Sequence, residues 1–478
     1  MDKNKLQMDI VHISAECYPI AKVGGLADVV GALPKYQNKL GKKSVVVMPY
    51  YDTKFTQNNK FKNDHYGSVL LGDLLYYFEV LLLDSEELGY PLYLIKIPGL
   101  MDRQNVYGYN DDTERFMAFQ KAVLNWIVQF HDKPKIVHCH DYHTGLIPFM
   151  MQYAYKYESL KEIPTVLTIH NAQYQGQFSF DKLNYFPEYD LTVSGMLEWA
   201  QMINPLAAAV KCASAITTVS PSYLIEIRTA ANGLEWLFDN EKEKSIGILN
   251  GIDTEVWNPV TDPMVTKNFN KQTALSGKKH NKQFLCEKFN LDPKKPLFAF
   301  IGRLVTEKGA EILPEIFRQV LNNPKLKTNI LVLGSGDKKV EKELDEIKNT
   351  YPGNYNTFIG YDEVLSHIIY AGADFLVMPS RVEPCGLNQM YSLRYGTIPI
   401  VRSIGGLKDT IVDISEKDGF GICHDNTEVT EAVDAIKRAI VLYKDQPRFK
   451  KIRKKIMQID HSWDSAANNY IDLYNNLT

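Results

Sequence analysis

KIVHCHDYHTGLIPFMMQYAYKY, Lys135–Tyr157, changes its period part-way along. Ile136 and Val137 open a run that reads as a short buried strand ending at Asp141, and from Thr144 onward the pattern turns helical. A strand that hands its chain to a helix is the repeating step of a parallel sheet, because parallel neighbours need a crossover. On such a strand His138 and His140 share a face while Cys139 points the other way. Their spacing is not that of a zinc site, which takes H-x-x-x-H on a helix or paired CxxC turns. Two histidines on one face would bind a metal only with partners from elsewhere, and nothing in the chain nominates them. Asp141 at the strand's carboxyl end is the better functional candidate, since open parallel sheets bind ligands there.

The same step recurs on both sides of this stretch. MDIVHIS, SVVVMPY, PLYLIKIP, KIVHCH, TVLTIH and AITTVS read as strands in the first half, with helical stretches such as RFMAFQKAVLNWIVQF between several of them. PLFAFIG, NILVLGSG, NTFIGY, ADFLVMPS and TIPIVRS repeat the style in the second half. The fold class is therefore α/β, with two doubly wound, Rossmann-like domains. GILNGIDTEVWNP, Gly247–Pro259, is dense in Gly, Asn and Pro and reads as the hinge between them. Two sheets whose strand ends face each other across a deep cleft would hold the ligand there.

A chain of 478 residues exceeds what one core usually supports, which agrees with two or three domains. Its 45% hydrophobic and 23% charged residues are ordinary for a globular protein. The net charge of −3 gives no reason to expect nucleic acid or an anionic membrane as partner. The basic run FKKIRKKI, Phe449–Ile456, has its apolar residues at helical spacing and reads as an amphipathic helix with a solvated basic face. Cysteines 17, 139, 212, 286, 385 and 423 are scattered without a CxxC, as in a reducing compartment. MDKNKLQMDIVHISAE lacks the apolar core of a signal peptide, and no run approaches the roughly 20 apolar residues of a membrane span. The expected location is cytoplasmic. LGSGD, Leu333–Asp337, has Lys339 where a third glycine would stand, and no strand is followed by a full GxGxxG with its acid, which counts against a nicotinamide dehydrogenase.

Three stretches carry anion chemistry. KVGGLADVVGALP, Lys22–Pro34, follows the first strand and opens a helix; Gly24 and Gly25 permit close backbone approach, helix-start amides favour an anion, and Lys22 stands at the lip. A tight turn with an exposed lysine accounts for the motif equally well. FIGRLVTEKGAEIL places Arg303 just past a strand and Lys308 five residues on at a helix start, where a planar fork and a point charge would hold a diphosphate without Mg²⁺; two merely solvated cations are the alternative. PSRVEPCGLNQMYSLRYGTIPIVRSIGGLKDT, Pro379–Thr410, carries Glu383, then CGL opening a helix, then the glycine pair Gly405 and Gly406. A carboxylate beside an anion-accepting helix start makes sense if Glu383 bonds sugar hydroxyls while the amides take phosphate; the plainer reading is a helix cap.

In this order, these pieces resemble the bacterial glycogen synthase and plant starch synthase family, retaining glucosyltransferases of the GT-B architecture. The resemblance runs along nearly the whole chain, through KVGGLADVVGALP, DDTERFMAF, VHCHDYHTGL, TIHNAQYQG, ITTVSPSY, ILNGIDTEVWNP, GRLVTEKG, EPCGLNQMYSLRYGTIPIVR, GGLKDT and SWDSAANNY. It implies an N-terminal, acceptor-side domain over residues 1–245, a nucleotide-sugar-binding domain over 246–456, and a terminal helix over 457–478 returning to the first domain. It implies transfer of glucose from ADP-glucose to the nonreducing-end 4-hydroxyl of an α-1,4-glucan such as glycogen, with the anomeric configuration kept, no cofactor and no metal. Lys22 would contact the donor's phosphate and sugar, and Asp141 and His170 would face the reacting sugar. Arg303 and Lys308 would stabilise the departing diphosphate, and Glu383 would orient glucose hydroxyls. The backbone of Cys385, Gly386 and Leu387, with Gly24, Gly25, Asn250, Gly405 and Gly406, would bind the donor, and Tyr361 would stack on its base.

Some positions depart from the family pattern. Tyr142 replaces the usual Trp beside Asp141; Pro205 and Ala207 stand where an aromatic and a lysine are common; Tyr391 stands where related transferases often carry a second glutamate. Rival readings separate by simple assays. A glycan phosphorylase would show the absorbance of a pyridoxal phosphate Schiff base, a glucan-binding protein without activity would release no ADP, and a UDP-glucose enzyme would prefer that donor.

Overall fold

A computed structural model describes residues 8–478. The seven residues before Met8, on which the reading of the N-terminus partly rests, lie outside the described residues. The chain divides into two compact units. One runs to Gly251 and takes back Trp463–Thr478, and the other is Ile252–Ser462.

The first unit is built on a nine-stranded sheet: β1 (Ile10–Ile13), β2 (Ser44–Pro49), β3 (Phe61–Leu71), β4 (Leu74–Leu83), β5 (Leu92–Lys96), β6 (Ile136–His140), β7 (Thr165–Ile169), then, beyond a two-residue hairpin of β8 (Glu198–Trp199) and β9 (Met202–Ile203), β10 (Ala215–Thr218) and β11 (Ser245–Gly247). Their order is β11-β10-β7-β6-β1-β2-β5-β4-β3. β1, β2, β6, β7 and β10 are buried at every residue, which is why they read as unbroken apolar runs. β3 and β4 are antiparallel additions that the sequence reading did not separate out. In β3 (FKNDHYGSVLL) only Val69 and Leu71 are buried, and a solvated edge strand of that composition imitates a polar loop.

Helix Trp463–Asn475 packs on helix Gly25–Lys39. Trp463, Ala466, Ala467, Tyr470 and Tyr474 share one core with Ile10, Val29, Leu33, Tyr36, Ile136 and Val166. Burying each large side chain contributes about 1.5–3 kcal/mol, so this helix is part of the first unit's core.

The second unit carries a six-stranded parallel sheet: β12 (Leu297–Leu304), β13 (Asn329–Gly336), β14 (Tyr355–Ile359), β15 (Phe375–Met378), β16 (Ile398–Arg402) and β17 (Ile422–His424), ordered β14-β13-β12-β15-β16-β17. Beneath it Asp374 accepts from Lys282 Nζ at 2.7 Å and Arg453 Nη2 at 2.8 Å, all three buried. Arg453 corrects one expectation. Helix Gln446–Ile456 does bury Phe449, Ile452 and Ile456, but Arg453 of its basic run turns inward to a carboxylate instead of facing solvent. LGSGD is a cap: Asp337 accepts from the amides of Lys339 and Val340 at the start of helix Lys338–Thr350. The unit's two ends meet, the Ile252 amide donating to the His461 carbonyl at 2.7 Å.

Candidate active site

Both sheets reverse their winding direction once, and sites in open α/β sheets form at such switch points. In the first sheet the chain runs from β1 to β2, out to the edge strand β3 and back through β4 to β5, then crosses to place β6 on the other flank of β1. In the second, β12, β13 and β14 build one way before β15 pairs on the free edge of β12.

At the first switch point Asp141 directly follows β6 with φ 57 and ψ −177, a combination nearly reserved for glycine that costs ~1–3 kcal/mol. Its Oδ1 accepts from the His170 amide at 2.7 Å, which ties the ends of β6 and β7 together. Burial pushes the Asp141 carboxyl up to about 7, opposed by amide hydrogen bonds from His170 and Asn171. Glu16, on the loop after β1, is itself buried and raised by burial. Lys22 reaches Asp28 on the first turn of helix Gly25–Lys39 at 2.7 Å.

The loop amides differ from expectation in one respect. Of the loop read as an anion seat, the Gly24 amide and that of neighbouring Val23 donate to Glu16 Oε2 at 2.9 and 2.6 Å, so an internal carboxylate already occupies them. At Gly24 and Gly25 an added Cβ would meet nothing within 4 Å, so the space beside this loop is open. Asn250, past the end of β11, is buried and its Oδ1 has no hydrogen-bond partner among the described residues.

The histidines of the opening stretch separate. His143 packs against the rings of Tyr107 and Phe116. His138 and His140 stack at 4.3 Å and are joined by His12 from β1, which is the partner the sequence reading did not find. One ring nitrogen from each of the three lies within 4.8 Å of the others, a grouping compatible with a metal ion. Each ring nitrogen of the three is already hydrogen-bonded to a protein group: His12 to His140 and Gln37, His138 to Tyr474 and Thr168, His140 to His12 and His170. Burial holds His12 down to about 4 and His170 to about 3 and keeps His138 and His140 well below the usual imidazole range, which favours the neutral form of all four rings.

At the second switch point Arg303 belongs to β12 itself instead of following it, and Lys308 ends a single 3₁₀ turn, Thr306–Lys308, not an α-helix start. Lys308 Nζ donates to Glu383 Oε1 at 2.6 Å, bridging the loops after β12 and β15. Ser380 Oγ donates to the other oxygen of Glu383 at 2.9 Å. Arg303 is half exposed and pairs with Glu307 at 3.2 Å. Glu383 is not a helix cap, since Leu387 holds that position for helix Asn388–Arg394.

The glycine pair explains how this loop is held. At Gly405 (φ 45) a Cβ would come within 2.1 Å of the Glu383 carbonyl oxygen, and at Gly406 within 2.0 Å of that of Cys385. Only residues without a side chain let helix Gly405–Thr410 press on the Glu383–Cys385 backbone. Cys385 is buried, Gly386 has φ 71, and Leu387 follows at the helix start. Tyr361, past β14 and just before helix Glu363–Gly372, is 74% exposed. Each residue read from the sequence therefore lies at or beyond the carboxyl end of a strand, in its own unit. Glu16, Asp28, His12 and Gln37 were missed.

Comparison with known proteins names the fold and the activity. The description "Starch synthase catalytic domain" matches residues 9–240, and "Glycosyl transferases group 1" matches residues 281–456. A glycogen synthase of Flavobacterium johnsoniae is 57% identical over 98% of this chain and 99% of its own. The chain belongs to the glycogen synthase family. A glycogen synthase of Geobacillus thermodenitrificans is 38% identical over 98% of both chains. The catalytic domain of starch synthase IV from Arabidopsis thaliana, bound to ADP and acarbose, superposes with a TM-score of 0.90 at 33% identity, covering 98% of this chain and 99% of that one. The fold is accordingly GT-B, two Rossmann-like α/β domains, and the activity is glycosyl transfer, that of a glycogen synthase. Among the described residues no helix is long and apolar enough to cross a membrane.

Proposed function

We propose that this glycogen synthase takes glucose from ADP-glucose and adds it to the nonreducing-end 4-hydroxyl of an α-1,4-glucan with the anomeric configuration kept. The observation that carries the reading is the Lys308–Glu383 pair at the second switch point, with Arg303 on the same strand end. Rupture of the glucosyl–phosphate bond builds negative charge on the diphosphate, and fixed cations aimed at that charge lower the barrier. Arg303 and Lys308 take this role, and Glu383, fixed by Lys308 and Ser380, orients glucose hydroxyls. The backbone of Cys385, Gly386 and Leu387, braced by Gly405 and Gly406, binds donor sugar and phosphate. Tyr361 offers an exposed ring to the base. The ADP in the similar starch synthase structure supports an adenine nucleotide.

Lys22, with Gly24 and Gly25 beside it, contacts donor phosphate and sugar. Asp141, His170 and Asn250 act on the transferred glucose. With the nucleophile supplied by the acceptor hydroxyl, attack on the face the diphosphate leaves accounts for retention without a covalent enzyme intermediate. The six cysteines are free thiols, which supports a cytoplasmic setting, where nucleotide sugars are made.

The deciding experiment compares ADP-glucose with UDP-glucose at fixed glycogen. A higher kcat/KM with ADP-glucose is expected. A preference for UDP-glucose overturns the donor assignment, and glycogen binding without nucleotide release overturns the catalytic one.

A further inference from the structure

Three buried histidines and the half-buried His170 form one hydrogen-bonded path in the first unit, whose direction is set at its far end. His170 Nε2 meets His140 Nδ1 at 3.0 Å, His140 Nε2 meets His12 Nδ1 at 3.1 Å, and His12 Nε2 meets Gln37 Oε1 at 2.8 Å. Beyond Gln37 the path continues from its Nε2 to Tyr474 OH at 3.3 Å, on to His138 Nδ1 at 2.7 Å, and from His138 Nε2 to Thr168 Oγ1 at 2.6 Å. A neutral imidazole has one N–H and one lone pair, so each ring in such a path must donate on one side and accept on the other. Burial keeps all four rings neutral. The order of protons is therefore all-or-none: fixing one link fixes every other.

Gln37 fixes the link. Its Oε1 also accepts from Ser44 Oγ at 2.7 Å while its amide nitrogen points to Tyr474. With a carbonyl facing it, His12 must carry its proton on Nε2 and accept at Nδ1. His140 must then donate from Nε2 and accept at Nδ1, and His170 must donate from Nε2. The same amide orientation lets Tyr474 accept from Gln37 and donate to His138, which donates to Thr168, which donates to Thr217 Oγ1 at 2.6 Å. Turning the amide over reverses both branches together.

We infer that Gln37, His12 and His140 are positioning residues that lock His170 in the Nε2–H tautomer and leave its Nδ1 as a hydrogen-bond acceptor for a hydroxyl of the transferred sugar. This rests on the assignment of His170 to the sugar site made above. It adds how the accepting nitrogen of that ring is chosen, by the Gln37 carbonyl acting through His12 and His140.

The test is ¹⁵N NMR of histidine-labelled protein, in which two-bond proton–nitrogen correlations distinguish the two neutral tautomers. The His170 signals are assigned by their loss in His170→Gln. The unsubstituted protein should show His170 protonated at Nε2 alone. Gln37→Met, which keeps the length but has neither carbonyl nor amide, should give a mixture of tautomers, with kcat lowered roughly 3- to 10-fold and donor KM little changed. Tyr474→Phe keeps the ring and frees the Gln37 amide to turn, so it should also give a mixture; it serves if Gln37→Met does not fold. An Nδ1-protonated His170 in the unsubstituted protein overturns the inference, as does an unchanged single tautomer in the folded variants. The sugar-site assignment is read separately: His170→Ala with normal kcat removes that assignment, and with it the hydroxyl contact, whatever the NMR shows about the relay.

Discussion

Lys308 illustrates how one side chain serves two purposes. Paired at 2.6 Å with a buried Glu383, it neutralises a carboxylate that would otherwise be left uncompensated, and in the proposed reaction it would also meet the charge that grows on the leaving diphosphate. Lys308→Ala and Arg303→Ala should each lower kcat by about 10²–10³ while donor KM moves only a few-fold, as steady-state kinetics will read. Lys308→Ala should in addition lower thermal stability, since it strands Glu383; Arg303, exposed and paired with Glu307, should cost little in that respect. Asp141 gives a pH-dependent counterpart. Its folded value of about 7 lies above the ordinary 3.8, so folding favours the protonated acid. The stabilisation is complete below the ordinary value and is lost as pH rises through the folded one. Asp141→Asn keeps an acceptor for the His170 amide without titrating. Its stability relative to the unsubstituted protein should therefore increase between about pH 4 and about pH 8, by about 1 kcal/mol or more, in paired denaturant melts. Such residues were legible where a local motif announced them: Lys22, Asp141, Lys308 and Glu383 each follow a strand, and Arg303 stands at the end of one. His12 was not, because one histidine inside IVHI looks like a core residue until register places it opposite His138.

At the scale of elements, what the sequence revealed depended on burial. Strands covered on both faces announced themselves as apolar runs, and the helices between them fixed a parallel sheet. β3 stayed hidden because one of its faces is wet, and the C-terminal basic helix was misread at Arg453 because its carboxylate partner is far off in sequence. The KVGGL loop shows another limit: composition could say that its amides would hold an anion, but not that Glu16 of the same loop would be that anion. Loop packing yields a sharper expectation. Gly406→Ala would drive a Cβ to 2.0 Å from a backbone oxygen that cannot retreat without moving Cys385. The variant should lose ~1–3 kcal/mol and a larger share of kcat than of glycogen affinity, whereas Gly24→Ala, with nothing within 4 Å, should keep its stability and reveal by donor KM whether a ligand needs that space.

For the molecule as a whole, the two units should respond to different perturbations. ADP at about 100 times its Kd should add about 2.7 kcal/mol to whatever binds it, and hydrogen exchange should slow chiefly within Ile252–Ser462. Trp463→Ala, which opens a cavity in the first unit's core, should cost roughly 3–5 kcal/mol and speed exchange in β1, β6 and β7 while leaving the β12–β17 sheet unchanged. The Gly-, Asn- and Pro-rich stretch Gly247–Pro259 contains the passage from Gly251 to Ile252, but the return at Trp463 had no comparable signature, because the second crossing is made between two helices without a run of Gly or Pro.

Because the helix that completes the first unit's core is translated only after every residue of the second, a growing chain holds its first unit without Trp463, Tyr470 and Tyr474 throughout synthesis of the second. The nascent N-terminal sheet therefore spends that interval with part of its apolar face uncovered, the kind of exposure that favours aggregation.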